Sequence, residues 1–269
     1  MTHAGSNGLR QATSRCAKQK HHGLGLSTET DYLWDTRQQL RTTFCTMGFD
    51  SVMKNVLNYI IYIGILLAGG GCATDENGLR NGDLIFEAVG NSAAAKAIDA
   101  ATARKSGESF AHVAIIEVAT DGVYVIEAAS ESGVQRIALA EFLDTATHDE
   151  AGNPAVVVMR LKRRYDTATF IANAKRHIGE PYDHCFMPNN GRMYCSELVY
   201  ESYRDESGKP IFTARPMNFR AADGSMPTYW VELFATLGEA VPQGVLGINP
   251  NDMAHEPILE RLPNGVLKR

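Results

Sequence analysis

The chain of 269 residues has only five cysteines, Cys16, Cys45, Cys72, Cys185 and Cys195, and no CxxC pair. This odd and scattered set is neither a disulfide framework nor a zinc-ribbon pattern. An excess of positive charge is also missing. The 26 Lys and Arg stand against 31 Asp and Glu, a net charge of -5, which argues against a nucleic-acid-binding surface. No apolar run reaches the roughly 20 residues that a helix needs to span a bilayer comfortably. Internal repeats are absent, and low complexity is confined to one Ala-rich segment. What is there is ordinary for a globular protein: 44% hydrophobic and 21% charged residues. That is enough to bury a full core as one large domain or two small ones.

The most informative stretch is Asn189-Asn190-Gly191-Arg192-Met193-Tyr194-Cys195-Ser196-Glu197-Leu198-Val199-Tyr200. An Asn-Asn-Gly turn runs into a cysteine, and Leu198, Val199, Ser202 and Tyr203 follow at the spacing of one helix face. Cys195 is therefore predicted in the first turn of a helix over 195–204, on the inward face. A helix N-terminus carries about half a positive charge and has free N–H groups, which favour a thiolate and can hold an oxyanion. These residues alone fit either a nucleophile or a buried structural cysteine.

Met53-Lys54-Asn55, the apolar run Val56 to Ala68, and Gly69-Gly70-Gly71-Cys72 have the anatomy of a secretory signal peptide. A cysteine directly after small residues resembles a bacterial lipoprotein signal, in which that cysteine is lipidated. Gly69 departs from the pattern, because an aliphatic residue usually stands three before the cysteine. Since a signal peptide is N-terminal, residues 1–52 read as an over-extended start with no sustained period, 53–72 as the signal, and 73–269 as the folded domain. The expected location is an exported, membrane-anchored lipoprotein facing the periplasm or cell surface. A cytoplasmic tail before an uncleaved anchor is the rival account of residues 1–72.

Beyond Cys72, Leu84-Ile85-Phe86 reads as a buried strand, and Ser92 to Lys105 as a helix capped by Ser92. Phe110 to Val118 and Val123 to Ala128 form a hairpin about Asp121-Gly122, followed by strands at Val134 to Ile137 and Ala155 to Leu161. Helices are predicted from Asp166 to Ile178, where Gly179 ends the run, and at Thr228 to Leu237 and Asn251 to Arg261. Strands joined by tight turns with helices beside them give an α+β fold with an antiparallel sheet.

A cysteine hydrolase needs a base beside its thiol and a group that orients the base. His112 shares a strand face with Ala114 and Ile116, so it is either a core histidine or that base. Glu127 shares a face with Val123 and Val125, and a half-buried carboxylate needs a partner. Folding about Asp121-Gly122 pairs residues whose numbers sum to about 243, which puts His112 opposite residue 131 and leaves Glu127 a diagonal or bulged neighbour. Glu117 falls on the face opposite His112 and should point away.

The ordered set Asn81-Gly82-Asp83-Leu84-Ile85-Phe86, Ala111-His112-Val113-Ala114-Ile115, Tyr124-Val125-Ile126-Glu127-Ala128, Gly179-Glu180-Pro181-Tyr182-Asp183 and Tyr194-Cys195-Ser196-Glu197-Leu198-Val199 resembles the YiiX-like permuted papain-fold cysteine hydrolases. These are relatives of the NlpC-type cell-wall peptidases. Met217-Asn218-Phe219 and Pro227-Thr228-Tyr229-Trp230 fit the same pattern, and the resemblance covers about 80 to 260. In this family the papain order is circularly permuted, with His before Cys, as here. The resemblance implies Cys195 as nucleophile, His112 as base and Glu127 as orienting group, with no metal or organic cofactor. It is in keeping with an outer-membrane or periplasmic lipoprotein, whose membrane contact the signal-like segment assigns to a lipidated Cys72, and the expected substrate is a peptide or cell-wall peptide, a lipid amide or an N-acyl amino acid.

Other assignments compete. Asp183-His184-Cys185 with His177 and Cys195 matches no common zinc spacing. Cys185 is a rival nucleophile but lacks a helix start. Glu197 is most plainly a first-turn acid stabilising the helix dipole. Tyr182 and Tyr194 are candidates for lining the cleft and donating to substrate, and Tyr229, Trp230 and Phe234 for a pocket wall or core. Two other functions fit the chain: a lipid esterase or acyltransferase, since lecithin:retinol acyltransferase relatives share the fold, and a surface-anchored binding module without catalysis.

Overall fold

In the computed structural model, residues 75, 78–103, 107–263 and 267 are described. The expected over-extended start at 1–52 and the signal at 53–72, with Cys72, lie outside the described residues. Among the described residues there are eight strands: β1 Leu84–Ala88, β2 Phe110–Ala119, β3 Gly122–Ala129, β4 Gly133–Ala138, β5 Val156–Leu161, β6 Arg215–Pro216, β7 Leu246–Gly247 and β8 Leu259–Arg261. The helices are α1 Ala93–Thr102, α2 Leu139–Thr145, α3 Thr167–Arg176, α4 Cys195–Ser202, α5 Thr228–Leu237 and α6 Pro250–Ala254. Among the described residues, no helix is long and apolar enough to cross a membrane.

Six strands form one sheet in the order β4-β3-β2-β1-β5-β8, and every neighbouring pair is antiparallel. The central strands read as near-continuous apolar runs because both faces are covered. Leu84, Phe86, Val113, Ile115, Ile126 and Met159 pack against Phe170, Leu198, Val199 and Tyr203 of the α3–α4 layer. The alternate residues Ile85, Ala114, Ile116, Val125 and Val158 meet Phe142 and Leu143 of α2 on the other face. The α2 helix was missed in the sequence.

The Asn81-Gly82-Asp83 turn fastens the layers together. Asn81 Oδ1 accepts from the Val118 N–H at 2.6 Å, and the buried Asp83 carboxylate receives Arg160 Nε at 2.6 Å and Nη2 at 2.7 Å. Tyr203 stacks on Phe170 at 4.4 Å and donates its hydroxyl to the Gly82 carbonyl at 3.0 Å.

Several expected boundaries move. Ser92 does cap α1, accepting from the Ala95 N–H at 3.0 Å, but the helix stops at Thr102. Asp166 precedes α3 and takes the Thr169 hydroxyl at 2.6 Å instead of a backbone N–H. The expected helix over 251–261 is instead α6, a turn, and the strand β8. Pro257 lacks the N–H a helix would need and restricts the residue before it, so the chain leaves the helix and pairs with β5. The hairpin register is also different. Ile115 faces Ile126 and Ala119 faces Gly122, so Thr120 and Asp121 make the turn and Gly122 opens β3. A shift of two residues keeps every side chain on its expected face.

Gly133 carries a positive φ of 74°, and a Cβ there would stand 2.3 Å from the Glu180 carbonyl oxygen. That oxygen accepts the Val134 N–H at 2.9 Å, which pins the 179–182 segment to β4. Gly133→Ala should therefore cost at least about 2 kcal/mol from left-handed strain plus the clash, read by urea unfolding. A stability within about 0.5 kcal/mol of wild type would contradict this close approach.

Candidate active site

Cys195 is the first residue of α4, with Tyr194 as N-cap in extended conformation. It is 6% exposed and is the free cysteine among the described residues. The first intrahelical bond of this helix runs from Leu198 N–H to the Tyr194 carbonyl at 3.0 Å, so the helix itself does not use the N–H groups of Cys195 and Ser196. The helix start is fixed from three sides. Ser196 Oγ donates to the Ile248 carbonyl at 2.9 Å. The Met193 N–H donates to the Pro181 carbonyl at 3.1 Å, and the Asp183 N–H donates to the Met193 carbonyl at 3.0 Å.

His112 meets Cys195 where the sheet opens. Ladder pairing between β2 and β3 starts only at Ile115–Ile126, and a register shift in the β1–β2 ladder pairs Glu87 with His112 but Ala88 with Phe110. Such irregularities re-aim side chains and recur beside active sites. His112 Nε2 lies 2.7 Å from Glu127 Oε2, which leaves Nδ1 as the ring nitrogen available to Cys195. Glu127 sits on the same face two residues from the position opposite His112, the diagonal contact that the hairpin pattern allowed. Its other oxygen accepts from Gln135 Nε2 at 2.9 Å, directly across the β3–β4 ladder. The His112 ring also stacks near Phe142 of α2, with centroids 6.2 Å apart.

The electrostatics follow from this arrangement. Burial is the largest influence on His112 and pulls its pKa down. Hydrogen bonds to the Cys195 and Glu127 side chains, with their negative charge, outweigh burial and hold it well above the ordinary value. Burial likewise pushes Glu127 up, but the His112 contact and Gln135 bring its pKa below normal. Glu117, on the opposite face as expected, is taken by Arg136 Nε at 2.6 Å and by Lys175.

Tyr182 and Tyr194 both line the cleft that Cys195 borders, together with Phe186, Phe219 and Trp230. Burial and then the charge of Cys195 hold the Tyr182 phenol well above its ordinary pKa, so it remains a donor. Tyr194 is committed to structure, accepting from the Ile248 N–H at 3.4 Å. Tyr229 and Phe234 lie in or against the main core, as does Trp230, which thus serves both wall and core.

The rival assignments separate from the site. Cys185 is buried in a loop, and its N–H donates to Asp183 Oδ1 at 2.9 Å with no helix beneath it. Asp183 Oδ2 accepts the Met187 N–H at 2.7 Å, and His177 Nδ1 pairs with Glu180 at 3.1 Å. Among the described residues, no three His, Cys, Asp or Glu side chains converge as metal ligands. Glu197 is buried, and burial, then the charge of Asp183, raises its pKa to about 8. Its carboxyl receives the Tyr194 N–H, the N3-to-N-cap half of a capping box. Sequence reasoning did not single out Gln135. Extending the ladder one strand further, across the Gly133 turn, would have set it opposite Glu127.

The family model for permuted papain-like amidase enzymes of the YaeF/YiiX, C92 family matches residues 78–263. The uncharacterized protein YiiX of Escherichia coli (strain K12) is 26% identical over 183 residues, which covers 67% of this chain and 84% of the relative. The crystal structure of metalloprotein yiiX from Escherichia coli O157:H7, DUF1105, is similar with a TM-score of 0.55 and 25% identity, covering 68% of this chain and 96% of that one. A metal does not fit the residues brought together here. With Glu127 on His112 Nε2, one imidazole nitrogen and one thiol are left, fewer than the three protein ligands of a catalytic zinc site, and no third His, Cys, Asp or Glu converges on them among the described residues.

The two shifted groups set a pH window for stability. A lowered folded-state pKa on Glu127 stabilises the protein above about pH 4.3, and this is lost as pH falls through the folded value. A raised one on His112 stabilises fully below about pH 6.5, and this is lost as pH rises through the folded value. The stability difference between wild type and Glu127→Gln, from urea unfolding, should therefore peak between about pH 4.5 and 6.5 and shrink on both sides. A difference independent of pH would show that the pair is not charged.

Proposed function

Because the chain belongs to the permuted papain-like amidase family of the YaeF and YiiX type, we propose that it is a thiol hydrolase of amide bonds, working through Cys195, His112 and Glu127. The observation that carries this reading is the 2.7 Å contact between His112 and Glu127 at the same imidazole that hydrogen-bonds the Cys195 side chain. A nucleophile, a base and an orienting carboxylate thus stand in series.

The Cys195 sulfur attacks the carbonyl carbon, and the C–S bond forms as the carbonyl π electrons move onto oxygen. That oxyanion faces the start of α4, where the Cys195 N–H is one donor. As the C–N bond breaks, the His112 imidazolium gives its proton to the leaving nitrogen. Water then attacks the thioester, His112 takes its proton, and the C–S bond breaks to release the acid and restore the starting pair. Glu127 fixes the ring and balances its charge in the steps where it is cationic. No step needs a metal or an organic cofactor.

Export and anchoring belong to the same proposal. The segment from Met53 to Cys72 supports translation from Met53, cleavage before Cys72 and lipidation of that cysteine, which would place the domain at a membrane surface. Protein taken from its native membrane should then begin at a modified Cys72, and a mature chain retaining Thr2 to Ser51 would contradict this.

The activity is tested by screening amide substrates with Cys195→Ala as the blank. Cys195→Ala should abolish turnover. Glu127→Gln should keep the fold and lower kcat by about 10- to 10⁴-fold, with a smaller effect on KM. Turnover that survives Cys195→Ala, or a kcat unmoved by Glu127→Gln, overturns the respective assignment.

A further inference from the structure

We propose that Glu197 is a positioning residue for the nucleophile, and that it braces the start of α4 as a neutral carboxylic acid. This rests on the thiol-hydrolase reading above and adds to it a requirement on the charge beneath Cys195. Glu197 is the third residue of α4 and is 5% exposed. Its carboxyl takes the N–H of Tyr194, the N-cap whose own side chain makes no cap bond. Tyr194 is thereby held at three points. Its carbonyl accepts the Leu198 N–H at 3.0 Å, and its hydroxyl accepts the Ile248 N–H at 3.4 Å. Cys195 follows directly from this fixed residue.

The surroundings of Glu197 favour the uncharged form. Its Oε2 is buried, and no donor reaches it among the described residues. None of the ion pairs among the described residues includes it. The charged groups that face it are acidic: Asp183 and Glu180 from the 179–183 segment, and Glu201 one turn along α4. The donors have gone to Asp183 instead. That carboxylate accepts the Cys185 N–H at 2.9 Å and the Met187 N–H at 2.7 Å, and the Arg192 guanidinium adds a favourable charge. Two buried carboxyls with donors around one of them divide into a charged member and a protonated one. Burial, then the charge of Asp183, accordingly lifts Glu197 to about 8. The Tyr194 phenol, pushed up by burial and then by Glu197, stays neutral beside it.

The protonation state bears on the chemistry above it. A helix N-terminus carries about half a positive charge. A thiolate at Cys195 and the oxyanion formed from the substrate both draw on that potential. An ionised Glu197 in the same turn would offset it. The neutral acid keeps the hydrogen bond to Tyr194 and leaves the positive end of α4 to the reacting atoms.

The test compares wild type with Glu197→Gln and Glu197→Ala, by urea unfolding and by hydrolysis of p-nitrophenyl acetate with Cys195→Ala as the blank. A folded-state pKa raised above the unfolded value of about 4.3 gives stability that is complete below that value and lost as pH rises through about 8. The folding constant of wild type relative to Glu197→Gln should therefore fall about tenfold per pH unit from about pH 5 to 8, then level off. A ratio that is flat above about pH 5.5 means an ionised Glu197 and overturns the proposal. At about pH 6.5, Glu197→Ala should lower kcat about tenfold or more with little change in KM, and Glu197→Gln, which keeps the acceptor and lacks the charge, should restore most of it. Loss common to both proteins through His112 cancels in the ratio of kcat for Glu197→Gln over wild type. That ratio should climb about threefold or more between about pH 7 and 9. A ratio flat over this range, or a Gln variant as slow as the Ala variant, overturns the positioning role and leaves the hydrolase reading standing. Absence of Cys195-dependent turnover in wild type overturns both, whatever the stability ratio shows of the acid.

Discussion

The contact between Glu127 and His112 is the constraint around which the site is arranged. It joins the apolar faces of two neighbouring strands with a polar pair, and such a pair is tolerated in a core only when its hydrogen bonds are satisfied. The satisfaction is close to complete. Gln135 takes the second Glu127 oxygen, Cys195 meets the other side of the imidazole, and Phe142 covers the ring from α2. Glu87, opposite His112 in the ladder, is diverted to the Thr147 N–H at 2.8 Å and hydroxyl at 2.7 Å, so it does not compete for the imidazole. Each neighbour removes one alternative partner, and the remaining geometry is an imidazole fixed in a single orientation.

The sheet and the helix layer serve this arrangement by different means. The antiparallel sheet supplies rigidity through apolar packing on both faces, and its β2–β3 ladder ends before it reaches His112 and Glu127. The helix has no side-chain N-cap at Tyr194, and Glu197 supplies the half-box from the other direction. A buried acid with its pKa raised to about 8 is a weak helix-dipole charge at neutral pH. The role of Glu197 is therefore closer to that of a hydrogen-bonding brace under Cys195 than of a charge.

Much of the site was legible because period and chemistry agreed. Cys195 precedes a helix-spaced apolar face, and His112 and Glu127 interrupt strand-spaced ones, so each stands out as a polar residue where packing alone would want an apolar one. The two-residue register difference did not matter, because it preserves the faces. What could not be read were features that depend on long-range company. The strand β8 forms because β5 offers an edge at Leu161, and its own residues carry a pattern that a helix would share. The fixed helix start likewise depends on Ile248 and Pro181, each distant from Ser196 or Met193 in sequence. The φ of 52° at Phe186 is invisible to propensity, since the turn around it is held by the Asp183 carboxylate, which accepts the N–H groups of Cys185 and Met187 on either side.

The central claim is that Cys195 carries the acyl group between the two half-reactions. The most direct measurement is the intact mass of the protein quenched in acid within the first turnovers of a reactive acyl ester or amide, followed by peptide mapping. The account predicts a mass gain equal to the acyl group minus one hydrogen, located on the peptide containing Cys195 and cleared as hydrolysis proceeds. Turnover without that adduct, or an adduct mapped to another residue, would contradict it.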